Sequence, residues 1–370
     1  METTYCFHLG RNRDLSLAEL RSFFGKEIIS HGEIALLETT IQDPQKTLNQ
    51  LGGILKISQK IDSPISQIIL SQKPEGKIKF GLNIMPQNKN FLRKELKRIK
   101  NELKAAGRNA RFINKDGNLS SAMIVKGGLM KDLTDFNLIK LQNQEIITQT
   151  IAVQDFVTYS LRDYQKPVRL AKEGMLPPKL AQIMINLTGL QTGTLYDPFC
   201  GSGTVLGEGL LKGMNVIGSD LDPKAIEAAT RNTTWIKNKF SAPGQITLFE
   251  KDAQEIAKPD LSTQPDLIVA ETHLGPPCNP KMTTGQIKNI QDELLPLYKN
   301  TFQNLHPLLK PNTPLVIAFP LHHVNRQPQP LPGLTQMLED FGYQIKNELI
   351  YHREKQIVGR QIIVLNTTTL

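Results

Sequence analysis

Several common signatures are missing from this 370-residue sequence. Its three cysteines, Cys6, Cys200 and Cys278, are odd in number and far apart, so neither a disulfide framework nor a zinc-ligand spacing can be read from them. The longest strongly apolar run, "PLVIAFPL" at 314–321, is far too short to cross a bilayer. The opening "METTYCFHLGRNRDL" has no basic segment followed by an apolar one, so no signal peptide is expected and the expected compartment is the cytoplasm. His322 and His323 have no metal-ligand partners at a recognisable spacing, and structural roles are expected for them. There is no internal repeat and no low-complexity segment. A hydrophobic content of 39% with 21% charged residues describes a soluble globular chain, long enough for two domains or three small ones.

Charge is present but uneven. Residues 1–150 hold 23 Lys and Arg against 15 Asp and Glu, whereas residues 151–370 hold 21 against 20. Within 51–115 the count is 15 against 4. That asymmetry points to a polyanion partner for the first part of the chain, the alternative being a well-solvated surface. The clearest helix, "NFLRKELKRIKNELKAAG" at 90–107, sets Leu92, Leu96, Ile99 and Leu103 on one stripe. Arg93, Lys94, Lys97 and Arg98 lie on its basic remainder. A strand, "ARFINK" at 110–115, should bring Arg111 and Lys115 near them. Asp14 is expected to cap a helix over 14–25 that ends at Gly25, and a hairpin turn is expected at Asn143-Gln144.

Beyond a polar linker, apolar strands alternate with amphipathic helices, and two strands close the chain. This pattern predicts a mostly parallel, doubly wound sheet with an antiparallel edge. "LYDPFCGSGTVLGEGLL" (195–211) reads as strand, loop and helix. Gly201 and Gly203 let the backbone bend tightly and approach a ligand at a helix start. Alone, such a loop is as readily structural. Its companions are Asp220, ending the next strand where a carboxylate can hold ribose hydroxyls, and Asp252, ending the third within reach of an adenine amino group. A nicotinamide cofactor would prefer G-x-G-x-x-G, but Gly203 is followed by Thr204-Val205-Leu206.

The order D-P-F-C-G-S-G-T, then Asp220, then Asp252, resembles the S-adenosylmethionine site of class I methyltransferases. "GMLPPKLAQIMINL" (174–187) and "YHREKQIVGRQIIVL" (351–365) are similar to RNA methyltransferases with an N-terminal THUMP domain, in particular those that methylate N2 of guanosine 10 in tRNA. "YCFHLGRNRDLSLAEL" resembles their ferredoxin-like segment. The resemblance covers nearly the whole chain. It implies an α/β, Rossmann-like class I methyltransferase domain over 174–370, preceded by an α+β region. That region would hold a ferredoxin-like domain (1–59) and a THUMP RNA-binding domain (60–153), joined onward by a linker (154–173). S-adenosylmethionine is the implied cofactor, held by Asp197, Cys200, Gly201, Gly203, Thr204, Asp220, Leu221, Asp252 and Ala253. The implied partner is tRNA or another structured RNA, with no membrane and no named protein partner, and Arg93, Lys94, Lys97, Arg98 and Arg111 are the candidate RNA contacts.

At 271–275, "ETHLG" falls where that family carries D-P-P-Y-G. An exocyclic amine conjugated to a ring is a poor nucleophile. A carboxylate and a carbonyl that accept its hydrogens favour a localised lone pair, and an aromatic residue stacks on the base. Here Glu271 keeps the charge with an added methylene, Thr272 and His273 replace the prolines, and Leu274 replaces the ring. Glu271, His273 and Leu274 are therefore the candidate catalytic residues. Two alternatives stay open. One is an RNA-binding protein that keeps the cofactor pocket without transfer. The other is a methyltransferase acting on a different base, including pyrimidine C5 through Cys278.

Overall fold

The computed structural model describes residues 2–114, 116–142, 144–169, 175–279, 282–325, 327–353 and 356–368. Lys115, Asn143, Gly174 and the end of the expected linker, 170–173, lie outside the described residues. The chain divides into two compact units, Met1–Arg21 with Lys26–Thr158, and Ser22–Gly25 with Tyr159–Leu370.

The first unit runs β1 (Thr3–Leu9), α1 (Arg13–Phe24), β2 (Ile29–His31), β3 (Ile34–Thr39), α2 (Pro44–Asn49), β4 (Ile54–Ile61), α3 (Ile65–Gln72), β5 (Ile78–Met85), α4 (Lys89–Ala105), β6 (Ala110–Phe112), α5 (Ser121–Lys126), β7 (Asp135–Lys140) and β8 (Glu145–Val153). Among the described residues its strands form one sheet in the order β2-β3-β1-β4-β8-β7-β5-β6. α1 starts earlier than expected: the Ser16 amide donates to the Asn12 carbonyl at 3.0 Å, so Asp14 lies inside the first turn instead of capping it.

α4 forms for the reasons its sequence suggests. The Asn88 side chain caps it by accepting from the Phe91 amide at 3.0 Å, and Leu92, Leu96, Ile99 and Leu103 bury against Ile78, Phe80 and Leu82 of β5. A buried polar seam crosses the sheet nearby. Lys56 Nζ donates to Asn137 Oδ1 at 2.6 Å and meets Asp135 Oδ2 at 3.3 Å, while the Thr150 hydroxyl donates to the same Asp135 oxygen at 2.6 Å. Each of these polar groups thus has the partner that burial demands.

α6 (Phe156–Tyr164) occupies much of the segment expected to be linker. The second unit continues with α7 (Pro178–Leu187), β9 (Thr194–Asp197), α8 (Thr204–Leu211), β10 (Asn215–Asp220), α9 (Pro223–Phe240), β11 (Ile246–Glu250), β12 (Leu267–Glu271), α10 (Thr284–Leu305), β13 (Pro314–Val324), β14 (Gln327–Gln329), α11 (Leu334–Asp340), β15 (Tyr343–Tyr351) and β16 (Val358–Thr367). Among the described residues the sheet order is β11-β10-β9-β12-β13-β16-β15, with β14 paired to β13. The five strands from β11 to β13 are parallel, and β16 and β15 add the antiparallel edge.

Leu267, Ile268, Val269 and Ala270 are completely buried, which fits a central parallel strand covered on both faces. From β9 the order proceeds outward through β10 and β11, then restarts on the other side at β12. That reversal opens a crevice at the carboxyl ends of β9 and β12, the place where open α/β sheets take ligands.

Candidate active site

Two loops meet the crevice, one after β9 and one after β12. The first carries both glycines at positive φ, +50° at Gly201 and +78° at Gly203. Their side-chain space differs. A Cβ on Gly203 would lie 3.2 Å from Cα and Cβ of Ala229, so this glycine lets α8 and α9 approach closely. Among the described residues, nothing lies within 4 Å of where a Cβ on Gly201 would stand, which leaves open space above the loop. Thr204 follows as the first residue of α8, whose free amides face that end.

Asp220 anchors the loop. Its Oδ2 accepts from the Gly201 amide at 2.8 Å and its Oδ1 from the Asp222 amide at 3.0 Å. Leu221, immediately after it, is 66% exposed, an apolar surface left open at the strand end. Asp197 is buried and accepts from the Phe199 amide at 3.0 Å. Burial drives its carboxyl well above the ordinary range; the Phe199 amide opposes this, and the charges of Asp220 and Glu271 add to it. Cys200 is buried, and burial together with Asp197 and Asp220 raises its thiol, so it is an inert wall. Asp252 caps the turn over Ala253–Glu255 by accepting from the Gln254 amide at 2.9 Å, and Ala253 is buried beneath it.

The β12 loop departs from expectation. Glu271 is a strand-end carboxylate, but Oε1 accepts from Arg360 Nε at 2.7 Å, and the two side chains are 16% and 3% exposed. Burial raises its carboxyl above the ordinary range, and Arg360 offsets part of that rise. Thr272 extends the strand: its amide and hydroxyl both donate to the Ala318 carbonyl, at 3.0 and 3.2 Å. A proline here could not make the first of these bonds. The His273 ring is exposed, while its carbonyl accepts from the Tyr298 hydroxyl at 2.6 Å. Leu274 is half-buried, and Gly275, at φ +82°, turns the chain where a Cβ would press Ile290 of α10 at 3.0 Å. The Cys278 thiol is half-buried, lies 3.5 Å from the Pro276 carbonyl and is raised by burial.

Residues that the sequence did not single out complete the surroundings. Arg360 stands opposite Pro320 of β13 and Tyr351 of β15. A basic side chain inside "VGRQIIVL" was the available signal. Lys166 donates to the hydroxyls of Ser202 and Thr204 at 3.0 and 3.1 Å, and Asn232 ties the Val168 backbone to the Ser202 carbonyl. Burial pushes the Lys166 ammonium down to about 8. No signal in the sequence marked these two. His322 is fully buried and His323 stacks on His352 at 4.1 Å; among the described residues no group of His, Cys, Asp and Glu could hold a metal ion.

In the first unit the five candidate RNA contacts do not form one surface. Arg93 pairs with Asp116, and Arg98 pairs with Glu95 and Glu102 on its own helix. Arg111 stands opposite Lys79 of β5, whereas its neighbours Ala110 and Phe112 face α4. Strand alternation therefore puts Arg111 on the sheet face away from α4, the reverse of the expected grouping. Lys94, Lys97 and Arg111 are exposed. Among the described residues, no helix is long and apolar enough to cross a membrane.

A family model described as the RMKL-like methyltransferase domain matches residues 166–325. Over 110 residues the chain is 33% identical to a tRNA (guanine(10)-N2)-dimethyltransferase of Methanothermobacter thermautotrophicus, an alignment covering 29% of this chain and 32% of that one. Over 161 residues it is 27% identical to a protein of the same name from Pyrococcus abyssi, covering 43% and 41%. The matched stretch thus spans between about a third and two fifths of the length of these relatives. By structure, the chain is similar to TrmN from Thermus thermophilus, with a TM-score of 0.52, 15% identity and coverage of 98% and 99%. It is also similar to a possible methylase from Clostridium difficile 630, with a TM-score of 0.51, 14% identity and coverage of 100% and 99%. These likenesses show the fold: a Rossmann-like α/β unit preceded by an α+β unit.

Proposed function

We propose that the protein is an S-adenosylmethionine-dependent RNA methyltransferase that acts on the exocyclic N2 of a guanosine in tRNA. The carrying observation is the pair of acids flanking the sheet's reversal point, Asp220 at the end of β10 gripping a glycine loop with open space above Gly201, and Glu271 at the end of β12. The residues present fit the cofactor. Asp220 keeps lone pairs for ribose hydroxyls beyond its two backbone bonds, Leu221 offers apolar surface to a planar base, and Asp252 stands at the third strand's end for the adenine amine. Asp197 is the acid for the cationic end. When bound, the cofactor supplies an electrophilic methyl group.

Glu271 accepts a hydrogen of the exocyclic amine and so favours a lone pair aimed at that methyl group. Its raised carboxyl suits it to take the proton that must leave on transfer. Leu274 gives the base apolar contact where the resembling family uses a ring, and His273 lines the exposed rim. The Cys278 route to pyrimidine C5 is disfavoured, because a thiol raised by burial supplies little thiolate.

The first unit, with a ferredoxin-like segment followed by a THUMP module, grips RNA through Lys94 and Lys97 of α4. The expected boundary at 59/60 falls inside β4, whose sheet runs through both parts, and Arg111 lies on the other sheet face. Arg93 and Arg98 stand in half-exposed ion pairs that a phosphate would have to displace, so they contribute less. The enzyme works in the cytoplasm.

The test is transfer of a tritiated methyl group from S-adenosylmethionine to tRNA by the wild type and by Asp220→Ala. Label retained on RNA by the wild type and lost in the variant supports the reading. RNA binding with no transferred label would make the chain a binding protein.

A further inference from the structure

The acceptor carboxylate differs from that of the resembling family in length, and here it is paired with Arg360. Glutamate carries one more methylene than aspartate, hence one more rotatable bond and an oxygen set roughly 1 Å further out. Left to itself, such a side chain would place its acceptor oxygens poorly, and misplacement on that scale costs on the order of a hundredfold in rate. Arg360 removes that freedom. Its Nε bonds Oε1 at 2.7 Å, and its own position is set by the ladder between β13 and β15, where it stands opposite Pro320 and Tyr351. Its Nη1 also donates to the Val358 carbonyl at 3.1 Å, which fixes the plane of the guanidinium.

Taking methyl transfer to an exocyclic amine as given, we propose that Arg360 is the positioning residue of the acceptor site. Its bond to Oε1 fixes where Oε2 stands to receive the amine hydrogen, and it makes glutamate, not aspartate, the acid that fits. The guanidinium opposes the rise that burial imposes on the carboxyl and so favours the ionised form that a hydrogen acceptor needs. Other titratable groups lie on the elements next to β12 and along its sheet. Asp197 of β9 shares its electrostatic field, and Tyr351 of β15 carries a hydrogen bond from Arg353. His322 lies buried on β13, and Tyr298 of α10 bonds the loop at His273. Arg360 is the cation paired with Glu271 among the described residues.

Three variants test this: Arg360→Met, Arg360→Lys and Glu271→Asp, each measured for kcat, for S-adenosylhomocysteine affinity by calorimetry and for the pH profile of kcat. Arg360→Met should lower kcat on the order of a hundredfold while cofactor affinity stays within twofold. Its acid limb should move to higher pH, because burial then acts on Glu271 unopposed. Arg360→Lys should return the acid limb towards wild type, with kcat still reduced for want of a planar fork. Glu271→Asp withdraws the acid from Arg360 and should lose activity, although the family pattern alone predicts a gain.

A readout without RNA separates this proposal from the reading it rests on. In Arg360→Met the Glu271 carboxyl titrates higher in the folded than in the unfolded chain. Between those two values the folded state binds more protons, so stability falls as pH rises through the window and is regained on acidification. The double variant Arg360→Met with Glu271→Gln should lack this dependence. A wild type that transfers no methyl group would overturn the functional reading and leave the melting test standing. An Arg360→Met protein with kcat within threefold of wild type, an unmoved acid limb, or the same pH–stability curve as the double variant would overturn the role of Arg360.

Discussion

Removing the Asp220 carboxylate should strike the cofactor site harder than the fold. In Asp220→Ala the Gly201 amide loses its acceptor at 2.8 Å and the Asp222 amide loses one at 3.0 Å, while a bound ribose loses one or two charge-assisted bonds. Each such bond contributes about 1.5–3 kcal/mol. A single lost ribose bond therefore weakens binding roughly tenfold to 150-fold. Release of the glycine loop adds to this, since at φ +50° Gly201 has the conformational freedom to leave its pose once unanchored. The stability cost should be small, because Asp220 is not fully buried and water can replace it on both amides. Calorimetric titration with S-adenosylhomocysteine measures the loss, with circular dichroism and thermal melting as controls. Asp220→Asn keeps a neutral acceptor and should fall between wild type and alanine. Affinity within twofold of wild type in a folded Asp220→Ala protein would refute the assignment of this acid to the ribose.

Other expectations follow from single contacts. Gly203→Ala should lower stability by about 1–3 kcal/mol in a denaturant melt, from left-handed strain and the 3.2 Å approach to Ala229. Lys56→Met should cost about 3–5 kcal/mol by leaving the Asp135 carboxylate buried without its cation, measured the same way. Neutralising Lys94 and Lys97 together should flatten the salt dependence of tRNA binding by roughly 0.7–0.9 per lost phosphate contact, whereas neutralising Arg93 and Arg98 should change the slope less. Cys278→Ser should leave methyl transfer within twofold; abolished transfer would revive the pyrimidine reading.

Where the chain's own periodicity carries the information, the sequence was legible. The βα alternation, the antiparallel edge and the amphipathic stripe of α4 all appear where apolar spacing places them, because burial of a stripe or a strand face is a local pattern read along the chain. The glycine loop and Asp220 were legible for a similar reason, since each sits at a strand end that the pattern itself marks. What pairs across the fold was not legible. Nothing near "ETHLG" announces Arg360, which is 89 residues away in sequence and arrives only through the β13–β16 ladder. Nor does α4 reveal that Arg93 pairs with Asp116, whereas the spacing of Glu95, Arg98 and Glu102 along the helix was there to be read. The linker misled because a polar, aromatic, proline-closed stretch still holds a short helix, α6, anchored by the Arg162–Glu208 ion pair at 2.7 Å. Thr272 adds a further lesson. Replacing it by the family's proline would remove the amide bond to Ala318, so rebuilding D-P-P-Y here alters the end of a strand as well as the acceptor site.

The most direct test is mass spectrometry of nucleosides from tRNA incubated with the protein and S-adenosylmethionine carrying a deuterated methyl group. The account predicts deuterated N2-methylguanosine from the wild type and a hundredfold or greater fall in its rate with Glu271→Gln, whose cofactor affinity should remain nearly unchanged. Deuterium on another base, or a Glu271→Gln protein as fast as wild type, would contradict it.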